Sequence, residues 1–106
     1  MSRRVVVTGL GVVTPLGNDM QTTWNSLLAG KNAVGEITYF DTTNFRVKIA
    51  AELKNFVTVD YVDYKEIRRT DYHQHYIIAA AKEAIADAHF EVTPETANRT
   101  STFIGA

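Results

Sequence analysis

An α/β fold is predicted by three features of the sequence. They are an apolar β-branched run at Arg4–Val13 (RVVVTGLGVV), an alternating run at Arg46–Leu53 (RVKIAAEL), and a stripe of small residues at helical spacing between Tyr72 and Ala88. In the first, apolar residues fall at successive rather than alternate positions, the pattern of a strand buried on both faces and covered by helices. Thr14-Pro15-Leu16-Gly17-Asn18 is dense in turn formers. Asn18 or Asp19 is placed to cap a helix with apolar positions Met20, Trp24, Leu27 and Leu28, and Gly30 marks its C-terminal stop.

Lys31 to Asn44 carries Gly35 and scattered aromatics without a sustained period, and reads as a packed loop. In the second run Val47, Ile49 and Ala51 alternate with Lys48, Ala50 and Glu52, which predicts a strand half-buried on the first of those faces. Asp63 with Glu66 has capping-box spacing ahead of a short helix, and Asp71 with Gln74 repeats it ahead of a longer helix over Tyr72–Ala88. Ile77, Ala80, Ala81, Ala84, Ile85 and Ala88 lie on one side of that helix, where the alanines allow a neighbouring backbone to come close. Thr93-Pro94 opens a turn, and Ser101–Gly105 reads as the start of another strand. That strand reaches Ala106 with no cap or polar tail, so residues 1–106 are expected to be one incomplete domain, truncated within a strand.

Composition narrows the function classes. The 106 residues are 45% hydrophobic and 22% charged, with 11 Lys+Arg against 12 Asp+Glu and a pI near 6.3, an ordinary single-domain composition. The charge balance lacks the basic excess of a nucleic-acid binder, so any basic site must be local. The absence of cysteine excludes a disulfide framework, a thiolate metal site and a cysteine nucleophile within these residues. No apolar run reaches the ~18 residues of a spanning helix, and the start is a poor signal peptide. Neither nucleic acid nor membrane is expected as a partner.

Gly9-Leu10-Gly11 after a strand invites a dinucleotide-binding reading, but Thr14 and Pro15 stand where the third glycine and the helix opening belong. The competing reading is that these glycines permit tight backbone packing. His73 and His75 are two apart and face different sides of a helix, and Asp71 with His75 gives only two ligands, so no metal site is expected. Asn98-Arg99-Thr100 matches a glycosylation acceptor without the secretory signal that would make it meaningful. Lys65, Arg68 and Arg69, spaced by three and four, place three cations on one side of a helical turn. Such a patch suits phosphate or acidic side chains, with Arg68 or Arg69 offering bidentate hydrogen bonds. Equally, it reads as a solvated face partly neutralised by Glu66 and Asp71.

The order of motifs resembles one family along nearly the whole chain. RRVVVTGLGVVTPLGN at Arg3–Asn18, WNSLLAGK at Trp24–Lys31, FDTTNFRVKIAAELKNF at Phe40–Phe56, DYVDYKEIRRTD at Asp60–Asp71 and YIIAAAKEAIADA at Tyr76–Ala88 resemble β-ketoacyl-acyl-carrier-protein synthases of the synthase II type. The opening motif is shared with polyketide ketosynthases and their chain-length-factor partners. The resemblance implies a partial thiolase-like fold, the leading part of the first half of a layered αβαβα architecture.

It also implies an acyltransferase of fatty-acid synthesis that condenses an acyl-enzyme with malonyl-acyl carrier protein after decarboxylation, in the cytoplasm, as a homodimer and without a cofactor. The family's catalytic cysteine and two histidines match no position here, so no catalytic residue is carried over and the fragment alone is expected to be inactive. Lys65, Arg68 and Arg69 do match family positions, those on the tunnel rim that meet acyl carrier protein. A non-catalytic chain-length-factor subunit, or a short module binding an acidic partner, are the alternatives.

Overall fold

The computed structural model describes residues 2–105. Its longest element is the helix over Tyr72–Asp87, here α3, within one residue of the expected span. The Asp71 N–H donates to Gln74 Oε1 at 2.9 Å, so the expected capping pair opens the helix. The preceding elements are α1 (Met20–Leu28), β1 (Val34–Glu36), β2 (Ile49–Ala51), a 3-10 turn at Thr58–Asp60 and α2 (Tyr64–Ile67); α4 (Pro94–Ala97) follows.

Both ends of α1 follow from single residues. Asp19 accepts from the Thr22 N–H at 2.7 Å and from the Thr22 hydroxyl at 2.8 Å, which satisfies one of the donors a helix start leaves unpaired. At the other end Gly30 takes φ +65°, its N–H bonds to the Leu27 carbonyl, and the Lys31 N–H bonds to the Ser26 carbonyl. This is the paired closure of a Schellman motif, for which glycine alone lacks a steric penalty.

The buried side of α1 is polar. Thr23 and Ser26 donate to the carbonyls of Gly17 and Leu16 at 3.1 and 3.0 Å, while Trp24, Leu27 and Leu28 are exposed. The turn below is closed by reciprocal backbone bonds between Thr14 and Gly17. Its carbonyls need donors, and the two hydroxyls supply them.

Three expectations are corrected. Arg4–Val13 has a buried-strand composition, yet Val5, Val6 and Val7 are exposed and the segment belongs to no ladder. Among the described residues the only sheet is the antiparallel pair β1–β2, with Val34 opposite Ala51 and Glu36 opposite Ile49. A strand pattern specifies side chains, but a strand forms only where a second backbone accepts its hydrogen bonds. Ser101–Gly105 forms no strand for the same reason, and Phe103 is 93% exposed.

Second, the stretch taken as a packed loop contains β1, and nearly all of it is exposed. Third, the strand at Arg46–Leu53 shrinks to Ile49–Ala51 and its covered side is inverted. Val47 and Ile49 are exposed, while Ala50 and Glu52 are half-covered. The Glu52 carboxylate accepts from the Thr38 N–H at 3.0 Å and the Thr38 hydroxyl at 2.8 Å, and this draws that side toward the chain. A smaller difference concerns α2: Asp63 accepts from the Glu66 N–H through its backbone carbonyl at 2.8 Å, and its side chain makes no capping bond.

The core is slight. Val62 and Ala79 are the buried apolar residues among those described, and the radius of gyration is 17.3 Å against about 13 Å for a compact chain of this length. What holds the opening segment is α3. A Cβ built on Gly9 would lie 2.7 Å from the Ala88 Cβ, and one on Gly11 would lie 2.6 Å from the Ala84 nitrogen. Glycine on one side and Ala80, Ala84 and Ala88 on the other thus bring two backbones into direct contact. Across that contact, Asp87 accepts from the Leu10 N–H and Glu83 from the Val12 N–H, each at 2.9 Å. These two carboxylates, one helical turn apart, satisfy alternate N–H groups as a neighbouring strand would.

Candidate functional site

The basic turn is carried by a short scaffold resting on α3. From Leu53 the chain passes through Asn55, held at φ 57°, into the 3-10 turn, whose exit places Val62 in the core. Phe56 stacks on Tyr61 with centroids 5.2 Å apart and meets the Tyr76 ring edge-on at 5.0 Å. Lys82 on α3 donates to the Tyr61 carbonyl. Aromatic packing and this bond fix where α2 begins.

Within α2 the Glu66 and Ile67 N–H groups both return to the Asp63 carbonyl, and the Arg69 N–H bonds to the Glu66 carbonyl at 2.9 Å. The turn therefore continues past the helix proper. Lys65 lies inside α2, Arg68 at its C-cap and Arg69 one residue beyond, and all three side chains are exposed. The Arg68 guanidinium carbon lies 5.8 Å from the centre of the Tyr64 ring, within range for a cation–π contact. Exposed guanidinium and ammonium groups projecting from one turn provide multiple donors to an anionic surface.

Beside the turn opens a cleft of about 500 Å³ lined by Tyr39, Leu53, Asn55, Phe56, Tyr72 and Tyr76. The Tyr39 hydroxyl donates to the Leu53 carbonyl at 3.2 Å. Burial, then the neighbouring Tyr39 hydroxyl, raises the Tyr76 phenol above its ordinary range, so it stays protonated. Nothing in the sequence pointed to this cleft, because its aromatics come from three separated segments.

The other candidate residues have structural settings. Gly9 and Gly11 pack against α3 instead of forming a loop open to a phosphate. His73 is exposed while His75, two residues on, is buried, which matches the opposed directions expected of that spacing. Among the described residues no three His, Asp or Glu side chains come together as metal ligands, and no helix is long and apolar enough to cross a membrane.

With the geometry in place, comparison with known proteins decides the family. The model of the β-ketoacyl synthase N-terminal domain matches residues 2–106. The chain belongs to the β-ketoacyl synthase family. The 3-oxoacyl-[acyl-carrier-protein] synthase 2 of Staphylococcus aureus (strain COL) is 45% identical over 105 residues, covering 99% of this chain and 25% of that protein. The protein of the same name from Coxiella burnetii (strain RSA 493 / Nine Mile phase I) is 43% identical over 104 residues, 98% of this chain and 25% of its own length. The chain thus spans about a quarter of the relatives it matches. Among solved structures, the ishigamide ketosynthase/chain length factor superposes with a TM-score of 0.76 at 31% identity, covering 84% of this chain and 22% of that one. The β-ketoacyl synthase assignment agrees with the partial thiolase-like α/β fold expected from sequence: extended segments and helices are in place, with the only sheet among the described residues being β1–β2.

Proposed function

We propose that this β-ketoacyl synthase segment contributes the carrier-docking turn of a 3-oxoacyl-acyl-carrier-protein synthase in fatty-acid elongation. In that reaction an acyl group moves from a carrier thioester to an enzyme thiolate. Malonyl-acyl carrier protein then loses carbon dioxide, and the resulting enolate attacks the acyl thioester and expels the thiolate. This chain contains no cysteine, so the thiolate nucleophile is not among its residues. The chemistry belongs to the part of the relatives' length that these residues do not span, and homodimerisation and a cytoplasmic location are proposed with it.

The observation that carries the docking role is the basic turn itself. Lys65, Arg68 and Arg69 are all exposed on one turn, and the chain leading into it is anchored to α3 through the Tyr61 carbonyl. An acidic carrier is the complementary partner, and rim charges of this kind act mainly on encounter rate and orientation. The test is charge reversal in the complete polypeptide bearing this segment. Arg68→Glu with Arg69→Glu is expected to weaken acyl carrier protein binding by roughly tenfold or more at low salt, with the difference shrinking as salt screens the charges. Equal affinity of variant and parent at low salt would overturn the docking role.

A second reading is kept because a solved neighbour is a ketosynthase/chain length factor. In a chain-length-factor-type subunit the same turn would serve a protein without condensing activity of its own. Activity of the complete polypeptide alone separates the two.

A further inference from the structure

In the first turn of α3, bonded to the end of the basic turn, lies a histidine that the exposed patch does not itself explain. His75 is 3% exposed. Its Nε2 lies 2.8 Å from the Thr70 Oγ1, and that hydroxyl lies 2.6 Å from the Glu66 carbonyl oxygen. A hydroxyl has one hydrogen to give. Thr70 gives it to the Glu66 carbonyl and therefore accepts from the imidazole, so Nε2 is the nitrogen that carries hydrogen. Nδ1 is buried and without a partner among the described residues.

The relay ends on an informative atom. The Glu66 carbonyl also accepts the Arg69 N–H at 2.9 Å, so both of its lone pairs are engaged, and this bond closes the turn from which Arg68 and Arg69 project. His75 is fixed from the α3 side, where its backbone N–H bonds to the Asp71 carbonyl and the Tyr72 ring meets the imidazole edge-on at 5.8 Å. By contrast α2 is four residues long and has no side-chain cap, so the turn depends on outside support.

We infer that Thr70 and His75 are positioning residues for the basic turn, the chain Nε2–H···Oγ1–H···O=C tying the Glu66 carbonyl to α3 and holding Arg68 and Arg69 in one arrangement toward an acidic partner. The inference rests on the docking reading above. The arginine side chains are themselves exposed, so the backbone beneath them is the part of the surface that can be pre-ordered, and ordering it beforehand lowers what binding must supply.

The experiment measures affinity of the complete polypeptide for fluorescently labelled acyl carrier protein of Staphylococcus aureus at low salt, with the melting temperature of each variant alongside. Thr70→Val keeps the shape and removes the hydroxyl; Thr70→Ser restores it. His75→Leu removes the donor; His75→Gln offers an amide N–H near the place of Nε2–H. Thr70→Val and His75→Leu are expected to weaken binding about fivefold, the size of one ordinary hydrogen bond, and Thr70→Ser and His75→Gln to recover most of it. If Thr70→Val binds as the parent does while the Arg68/Arg69 reversal weakens binding, the relay is refuted and the docking role stands. Equal loss in Thr70→Val and Thr70→Ser would refute it as well. Should the reversal itself have no effect, the docking role falls and the relay has nothing to position.

Discussion

Glu83 is the residue whose removal should most disturb the way this chain is held together. Its Oε2 accepts from the Val12 N–H at 2.9 Å and its Oε1 from the Met20 N–H at 2.7 Å, so one carboxylate joins the opening segment, the start of α1 and the middle of α3. A hydrogen bond to a charged group is worth roughly 1.5–3 kcal/mol. Both bonds are part-buried, so water replaces them incompletely, and the lower end of that range gives about 3 kcal/mol for the pair. Met20 is also the first residue of α1, where a negative charge complements the helix dipole.

The assay is local amide hydrogen exchange in the complete polypeptide, because a large protein does not unfold in one step. Glu83→Ala should speed exchange at Val12 and Met20 on the order of a hundredfold, the equivalent of about 3 kcal/mol at ~1.4 kcal/mol per decade. Glu83→Gln keeps one acceptor oxygen and turns an amide donor toward the other N–H, so it should retain less than half of the effect. Protection at Val12 and Met20 unchanged in Glu83→Ala would refute the claim that this carboxylate stands in for a neighbouring strand.

Other outcomes follow from the same contacts. Gly11→Ala drives a methyl into the α3 backbone at Ala80 and Ala84, which cannot give way, and should cost about 1–3 kcal/mol of local stability by exchange; Gly35→Ala meets nothing within 4 Å and should be silent. Asp19→Ala removes the α1 cap and should cost about 1 kcal/mol. Because the Thr22 N–H and then its hydroxyl hold the Asp19 carboxyl below 3.8, its contribution is complete above that value and is lost as pH falls through the lower folded value. The difference between parent and Asp19→Ala in α1 exchange should therefore be constant near neutrality and vanish in strong acid.

The parts of the fold that were legible in the sequence are those decided locally. Asp19 and Gly30 bracket α1, and Asp71 with Gln74 opens α3, because caps act on neighbouring backbone and need no distant partner. The Gly9/Gly11 and alanine patterns likewise announced a close backbone approach, though not that each would meet the other. What failed depended on a second segment. Arg4–Val13 and Ser101–Gly105 have strand composition without a ladder among the described residues, and the side of β2 that is covered was set by Glu52 reaching Thr38, which alternation alone does not encode.

The candidate site divides the same way. Lys65, Arg68 and Arg69 were visible as a spaced trio, and their exposure leaves that reading available. Thr70 and His75 were not visible as a pair, because a hydroxyl and an imidazole five residues apart become partners only when the turn after Ile67 folds back on α3. Glu83 and Asp87 carried no sequence signal of their own. Their role came from the N–H groups of a segment more than seventy residues away.

The most direct measurement is product analysis by mass spectrometry after the complete polypeptide alone is incubated with an acyl-acyl carrier protein and malonyl-acyl carrier protein. The account predicts a β-ketoacyl-acyl carrier protein two carbons longer than the primer, released with carbon dioxide. A folded polypeptide that binds the carrier yet yields no elongated product would contradict the condensing-enzyme assignment and favour the chain-length-factor reading.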